Sequence, residues 1–559
     1  MKIRGDIVRT YRDAHSWVGI IAGLFLFVAF YAGAITMFEQ PLQEWASSAT
    51  PRPAPTPLER MPSLMEKLFS AHPEAARNYS IALPAATPGQ GEFSWSAAKP
   101  GAHGRGGPTT QVSLSETGEL ITVQRHPSAV AHFVDELHQQ VSLPLPHMVS
   151  RYLMGTVALL YAVALISGVI AFLPGLAKNL FAVRLGRNSK KMWLDMHNLL
   201  GVFSLPFHLI MALTSVVFAF HEPIFVTQHF LLGGNHASHH TQAGADHGAR
   251  GQHGGADPTG AHPGRPQAGS SDTAPAAQGG QPNLTQGDAS PEPAQPLPLP
   301  PQQILAALAR QASGFVPDSL NYTQRPGAGL VLSVAGHDPR YSMRGPVSGF
   351  AEVNPYTGRV TSTDYLPGHQ STGFSIITTF FALHFGSFGG VAVRWGYVVL
   401  GLGGAFLFYT GNRLWVASRQ KQERKSGRVE DTRGTRFLAC LTSGCALGCV
   451  AGISAVFCAV PFLPQGGTYS AVMQLYYAVF CVFVVAAFLL GSQRCDRVLL
   501  AGAGILTALV PVSVSLAGHG GWLSPVTQAI GLTSVLVGVF LLVCAFRKVR
   551  LPPQGRVSA

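Results

Sequence analysis

Eight runs of apolar residues set the terms for this chain. They fall at about 17–38, 150–173, 198–220, 388–412, 437–460, 470–491, 498–516 and 524–546. A run of roughly 18 or more apolar residues is the mark of a membrane-spanning helix. Charged residues make up only 12% of the 559 positions, about half the share usual in a soluble chain. The fold class is therefore a polytopic α-helical membrane protein with about eight transmembrane helices.

The basic residues give the orientation. They cluster at Lys2–Arg12, Lys178–Lys191, Arg413–Arg436, Arg494–Arg497 and Arg547–Arg550, whereas the short loops at 461–470 and 516–524 carry none. That alternation follows the positive-inside rule. It puts both termini and the 416–436 loop in the cytoplasm of a bacterial inner membrane, with the lipid bilayer around the helices. Segments 39–149 and 221–387 then lie in the periplasm. The net charge of +12 is explained by this topology, so no nucleic acid is expected as a partner. The first run is too long for a signal-peptide core despite the "YAGA" at 31–34 within it, and reads as an anchor. None of the seven cysteines lies in the two large outer segments, so no disulfide framework is expected there.

The first 415 residues repeat a pattern. "YRDAHSWVG" (Asp13, His15, Gly19) and "WLDMHNLLG" (Asp195, His197, Gly201) both read D-x-H-x-x-x-G and both lead into an apolar run. A mixed-polarity outer segment follows each and closes on another histidine, His138 in "DELHQQ" and His384 in "FALHFG". Each outer segment contains a helix candidate, then short alternating stretches, then a strand pair around a Thr-Gly turn, Thr117-Gly118 or Thr357-Gly358. Such patterns suggest a helix on a small antiparallel sheet. The chain divides into a first span (1–38), an outer α+β module (39–149), two spans (150–220), a linker (221–300), a second module (301–387), a fourth span (388–415), a basic loop (416–436), a four-helix extension (437–546) and a tail (547–559). Residues 232–300 are rich in Gly, Pro and His, including His236, His239, His240, His247, His253 and His262. They read as a disordered linker, with loose metal binding as a second reading.

Ionisable groups at membrane helices are functional hypotheses by default. His15 and His197 open helices that run outward, so both sit near the inner surface. His138 and His384 precede helices that run inward, so both sit near the outer surface. Four imidazoles thus sort into two pairs at two depths, as two bis-His haems would need. His208 in "SLPFHLIMAL" lies 11 residues after His197, about three helical turns. The two rings then share a helix face, so one helix could offer a ligand to each haem; because His138 stands well before its span, His208 is a possible outer ligand in its place. His221 points away from His208 and is the weaker candidate. Asp13 and Asp195 are expected to cap their helices or orient a neighbour. Gly19 and Gly201 leave room for a flat macrocycle, or for close helix packing.

Other cofactor signatures are missing. No G-x-G-x-x-G stands between a strand and a helix, and no Walker motif occurs; "GLGG" at 401–404 lies inside a span. An electron donor would be a membrane quinol or another reductase.

Taken together, the D-x-H-x-x-x-G starts, the "LH" closures, "SLPFH" and "NPYTG" resemble the PepSY-associated transmembrane family over about residues 7–415. The resemblance implies a four-helix core, two small α+β PepSY-like periplasmic modules and two b-type haems held by helix histidines, with His15, His138, His197, His208 and His384 at the matching positions. It also implies a periplasmic acceptor, a ferric chelate such as a siderophore complex, as in ferric-siderophore reductases. Two other readings stand beside it. One is a non-enzymatic module that binds or restrains a periplasmic partner. The other is a permease for iron chelates, which should show polar or broken helices at mid-membrane.

Overall fold

Among the described residues, eight helices are long and apolar enough to cross a membrane: Gly5–Thr36, His147–Phe172, Leu205–Pro223, Gly390–Lys425, Arg433–Phe462, Tyr469–Gly491, Arg494–Leu516 and Pro525–Phe546. They match the eight apolar runs one for one. The structure is a computed structural model that describes residues 4–47, 52–96, 108–175, 189–232, 297–517 and 524–546. The His-rich stretch expected to be a linker lies almost wholly outside the described residues.

Where helices begin differs from expectation in two places that bear on the site. The first helix, α1, runs Gly5–Thr36. His15 is therefore well inside it, and Asp13, also inside, cannot cap its start. Hydropathy marks the part of a helix that must be apolar, not the point where backbone hydrogen bonding starts. The third span is not one continuous helix. A helix over Ser189–Phe203 ends at Ser204, and another begins at Leu205. Pro206 has no N–H to continue the ladder, which accounts for the break. His197 and His208 so belong to successive helices, and Asp195 is buried inside the first of these rather than at its cap.

The outer segments form one sheet. Helix Met61–Ala71 goes with strands β2 Asn78–Ala82, β3 Gln90–Trp95, β4 Thr109–Leu114 and β5 Leu120–Arg125. Helix Pro301–Gln311 goes with β6 Val316–Arg325, β7 Gly329–His337, β8 Gly349–Val353 and β9 Val360–Ser362. The two α+β halves expected from the sequence are thus present. They are not separate: β2 pairs antiparallel with β6, giving the order β5-β4-β3-β2-β6-β7-β8-β9, with the short β1 Thr56–Pro57 on β3. Tyr79 and Tyr322 face each other in this register and stack with centroids 4.4 Å apart. One apolar core runs under both halves, from Leu64, Leu68 and Phe93 to Ile304, Leu308 and Leu332. Both Thr-Gly turns form as expected. Gly118 and Gly358 take φ of 83° and 68°, the left-handed region that glycine adopts at no steric cost.

Helices Arg433–Ala459, Tyr469–Leu516 and Pro525–Phe546 make up the extension; the second is kinked at Gly491 into two spans. Gly444, Gly448 and Gly452 recur every four residues and let this first extension helix lie against Phe480, Phe483 and Tyr476, a small-residue packing face typical of lipid-embedded helices. The extension packs on α1 through Phe27, Val28, Cys449, Ile453 and Val456. On the face opposite the sheet, Arg413 pairs with Asp496 at 2.8 Å.

Candidate functional site: two histidine pairs at two levels

The core helices bring four histidines together as two pairs. His15 on α1 stands beside His197, with ring centroids 5.9 Å apart. His138 stands beside His384, with centroids 6.0 Å apart. The first pair lies on the face away from the sheet and the second near the sheet. His138 packs against the Ala29–Gly33 stretch of α1, roughly 21–27 Å along that helix from His15 at 1.5 Å per residue.

Local structure places each ring. His138 is in the last turn of helix Val130–Gln140, and His384 in the last turn of helix Thr372–Phe385. Ser371 caps the second of these at its start, and Gly386 ends it in a left-handed turn with φ 61°. The turn after His138 is unusual. Val141 has φ 55° and Ser142 φ 45°, a conformation that a β-branched residue rarely takes. The extension holds this region from outside. The Tyr477 hydroxyl donates to Ser142 O, the Tyr469 hydroxyl donates to the Glu136 carboxylate, and Ser128 Oγ donates to Gly466 O at 2.6 Å.

All four rings are anchored through Nδ1. His15 donates to Ala164 O at 2.8 Å, and His138 to Ala29 O at 2.8 Å. His197 reaches Leu407 O at 3.2 Å and Thr410 Oγ1 at 3.3 Å. Thr214 gives its own hydrogen to Ile210 O, so its oxygen accepts from His384 Nδ1 at 2.7 Å. Among the described residues no hydrogen bond engages Nε2 of any of the four. This is the arrangement of metal-binding histidines, whose second nitrogen is fixed by a carbonyl or hydroxyl while the first keeps its lone pair. Two imidazoles that each hold one metal at about 2 Å have centroids roughly 6 Å apart. The residues present therefore fit a haem at each level. Among the described residues no cluster of three or more His, Cys, Asp or Glu side chains could hold a bare metal ion.

Three glycines cradle these rings. A Cβ added at Gly33 would stand 2.6 Å from His138 Nδ1, at Gly168 2.9 Å from His15 Cε1, and at Gly411 3.3 Å from His197 Cε1. The glycines singled out in the sequence do otherwise. A Cβ at Gly19 meets nothing within 4 Å, and at Gly201 only Leu407 at 3.7 Å. Gly33→Ala is expected to push His138 off Ala29 and lower stability by about 1–3 kcal/mol, the usual cost of overpacking. Gly19→Ala is the matched control and should leave the melting temperature unchanged. Thermal unfolding of the two variants in detergent checks this.

His208 belongs to neither pair. It is fully buried, with Phe30, Phe207, Phe408 and Tyr161 around it. Its Nδ1 lies 2.5 Å from the Tyr161 hydroxyl, and its Nε2 has no hydrogen-bond partner among the described residues. It packs on Gly404, one turn and a half or more from Gly411 and so between the two levels. The sequence offers it as a substitute because His138 stands well before its span; in the structure His138 pairs with His384, and no ring contact joins His208 to another histidine among the described residues. His221 lies beside Arg151, whose Nη2 is 2.7 Å from its Nδ1.

The family model for the PepSY-associated TM region matches residues 12–418, the stretch that carries all four paired histidines and His208. The chain belongs to the PepSY-associated transmembrane family. No curated protein matches it. The family region ends inside helix Gly390–Lys425, so the extension from Arg433 onward lies outside the PepSY-associated region, although it braces the turn after His138. Sequence reasoning has no signal for that brace, because Tyr469 and Tyr477 look like ordinary aromatic residues of a span.

Proposed function

We propose that the protein is a di-haem electron-transfer protein of the bacterial inner membrane, which reduces a ferric chelate on the sheet side. The observation that carries this reading is the pair of matched imidazole couples, each with Nδ1 tied down and Nε2 left over. His15 and His197 would hold one haem, His138 and His384 the other. Bound by two imidazoles, haem supplies one-electron chemistry and keeps no coordination position open for oxygen or substrate.

The chain's own residues do the rest. Ala164, Ala29, Leu407, Thr410 and Thr214 fix the imidazole orientation and keep the metal-facing nitrogen unprotonated. The aromatic cluster of Phe30, Tyr161, Phe207 and Phe408 around His208 keeps the interval between the levels dry. The basic clusters support an orientation with the sheet outside and both termini in the cytoplasm. In that orientation the inner pair faces a donor, a membrane quinol or another reductase, and the outer pair faces the periplasmic acceptor. One electron converts ferric to ferrous iron, which hard oxygen ligands hold far more weakly, so the chelate lets go of it. A ferric siderophore complex is the substrate class this suits.

The test is spectroscopic. Protein made with ample haem supply should carry about two low-spin haems per chain. After reduction, a ferric chelate added on the sheet side should reoxidise them. A colourless preparation, or haems that stay reduced with ferric chelate present, would end the proposal.

A further inference from the structure

Arg344 is a buried cation with no acid acting on it among the described residues. It lies in the loop between β7 and β8, which is docked on the membrane helices: Arg394 of helix Gly390–Lys425 donates to Pro346 O at 3.1 Å. The Arg344 side chain is 5% exposed. Its guanidinium carbon is 3.2 Å from the centre of the Phe381 ring and 4.8 Å from that of Tyr365. Among the described residues its Nε makes no hydrogen bond, and its one side-chain hydrogen-bond partner is Tyr365. Arg344 is also close enough to His221 to act on it electrostatically.

A buried charge without a counter-charge is costly, and stacking on aromatic faces offsets only part of that cost. A guanidinium in this position calls for an anion. Its planar fork matches a carboxylate, which accepts two parallel N–H bonds from it. The location matters as well. Phe381 is one turn before His384 on the same helix. Phe381 meets Phe218 at 4.6 Å, and Phe218 meets His384 at 4.8 Å.

We propose that Arg344 is a carboxylate receptor, set one aromatic layer from the outer histidine pair. The carboxylate has two possible sources, an acidic side chain of the porphyrin or an incoming anionic chelate. Assigning either source rests on the electron-transfer reading; the need for an anion does not. In the second case Arg344 selects acceptors that carry carboxylates over neutral ones, and seats them against Phe381.

The experiment uses the full chain in detergent, with citrate as the probe. Citrate binding is measured by titration calorimetry, and haem content and the outer haem's midpoint potential by absorbance, for wild type, Arg344→Gln and Arg344→Lys. A chelate source predicts that Arg344→Gln weakens citrate binding roughly 30-fold or more with haem content unchanged, and that Arg344→Lys falls between. A porphyrin source predicts no citrate binding at Arg344. Arg344→Gln then loses outer haem or lowers its potential, and Arg344→Lys restores part of the loss. Unchanged citrate binding together with unchanged haem content and potential overturns the proposal. Should Arg344→Gln fail to fold, Arg344→Lys still decides, because it keeps the charge and loses the fork. A colourless wild type defeats the electron-transfer reading, and the citrate isotherms then stand alone for Arg344: binding that weakens in Arg344→Gln supports the receptor, and no effect of either substitution rejects it.

Discussion

Replacing any one of His15, His197, His138 or His384 by alanine is expected to lower the haem content from two per chain to one. The double variants carry the sharper expectation. His15→Ala with His197→Ala should still hold one haem, because both belong to the couple 5.9 Å apart. His138→Ala with His384→Ala should do the same. His197→Ala with His384→Ala, one from each couple, should hold none. Residues that act as a unit are non-additive, and residues in separate sites add. Quantifying haem against protein in these variants and wild type decides it. The pairing is wrong if a within-pair double loses both haems or a cross-pair double keeps one. His208→Ala should keep both, since His208 forms no ring contact with another histidine among the described residues. A weaker member of the series is Thr214→Val, which removes the oxygen that accepts from His384. It should cost about 10–100-fold in affinity for the outer haem, as loss of such supporting bonds does.

Those pairs are legible in the sequence because two one-dimensional signals meet there. Transfer into lipid depends on local composition, so the eight spans stand out. The repeat then assigns each histidine a depth, and depth alone sorts His15 with His197 and His138 with His384. Signals that depend on three dimensions stay hidden. The break at Ser204 is small, and periodicity carries straight through it, so spacing does not reveal that His208 sits on the next helix. The glycines that touch the imidazoles, Gly33, Gly168 and Gly411, come from neighbouring helices, so spacing within "DAHSWVG" cannot point to them. Helix Thr372–Phe385 is apolar but only 14 residues long, too short for a spanning signal, although it carries His384. Arg344 reads as one more loop arginine until its burial between Phe381 and Tyr365 is seen. The extension follows the same logic. Its spans are plain, but its hold on Ser142 and Glu136 runs through two tyrosine hydroxyls that composition cannot distinguish.

Tyr322→Ala is expected to destabilise the outer sheet by about 3–5 kcal/mol, the range for truncating a large buried aromatic side chain. Tyr322 is fully buried and stacks on Tyr79 at the seam where β2 meets β6. Nothing in the sequence announces that seam, because the two strands come from halves separated by two membrane spans. Tyr322→Phe should behave in the opposite sense. Among the described residues neither the Tyr322 nor the Tyr79 hydroxyl has a hydrogen-bond partner, and a buried unpaired hydroxyl is a cost that phenylalanine does not carry. The ring and its stacking remain, so stability should hold or rise by up to about 1 kcal/mol. Amide hydrogen exchange on the full chain reads both effects and adds a third. If the halves fold as one sheet, Tyr322→Ala should speed exchange in β2 and β3 of the first half as well as in β6 and β7 of the second. Faster exchange confined to the second half would mean that the seam is a surface contact between two independent modules. The distinction bears on function. A single rigid sheet fixes the loop that carries Arg344 relative to the helix that ends in His138, and two hinged modules would not.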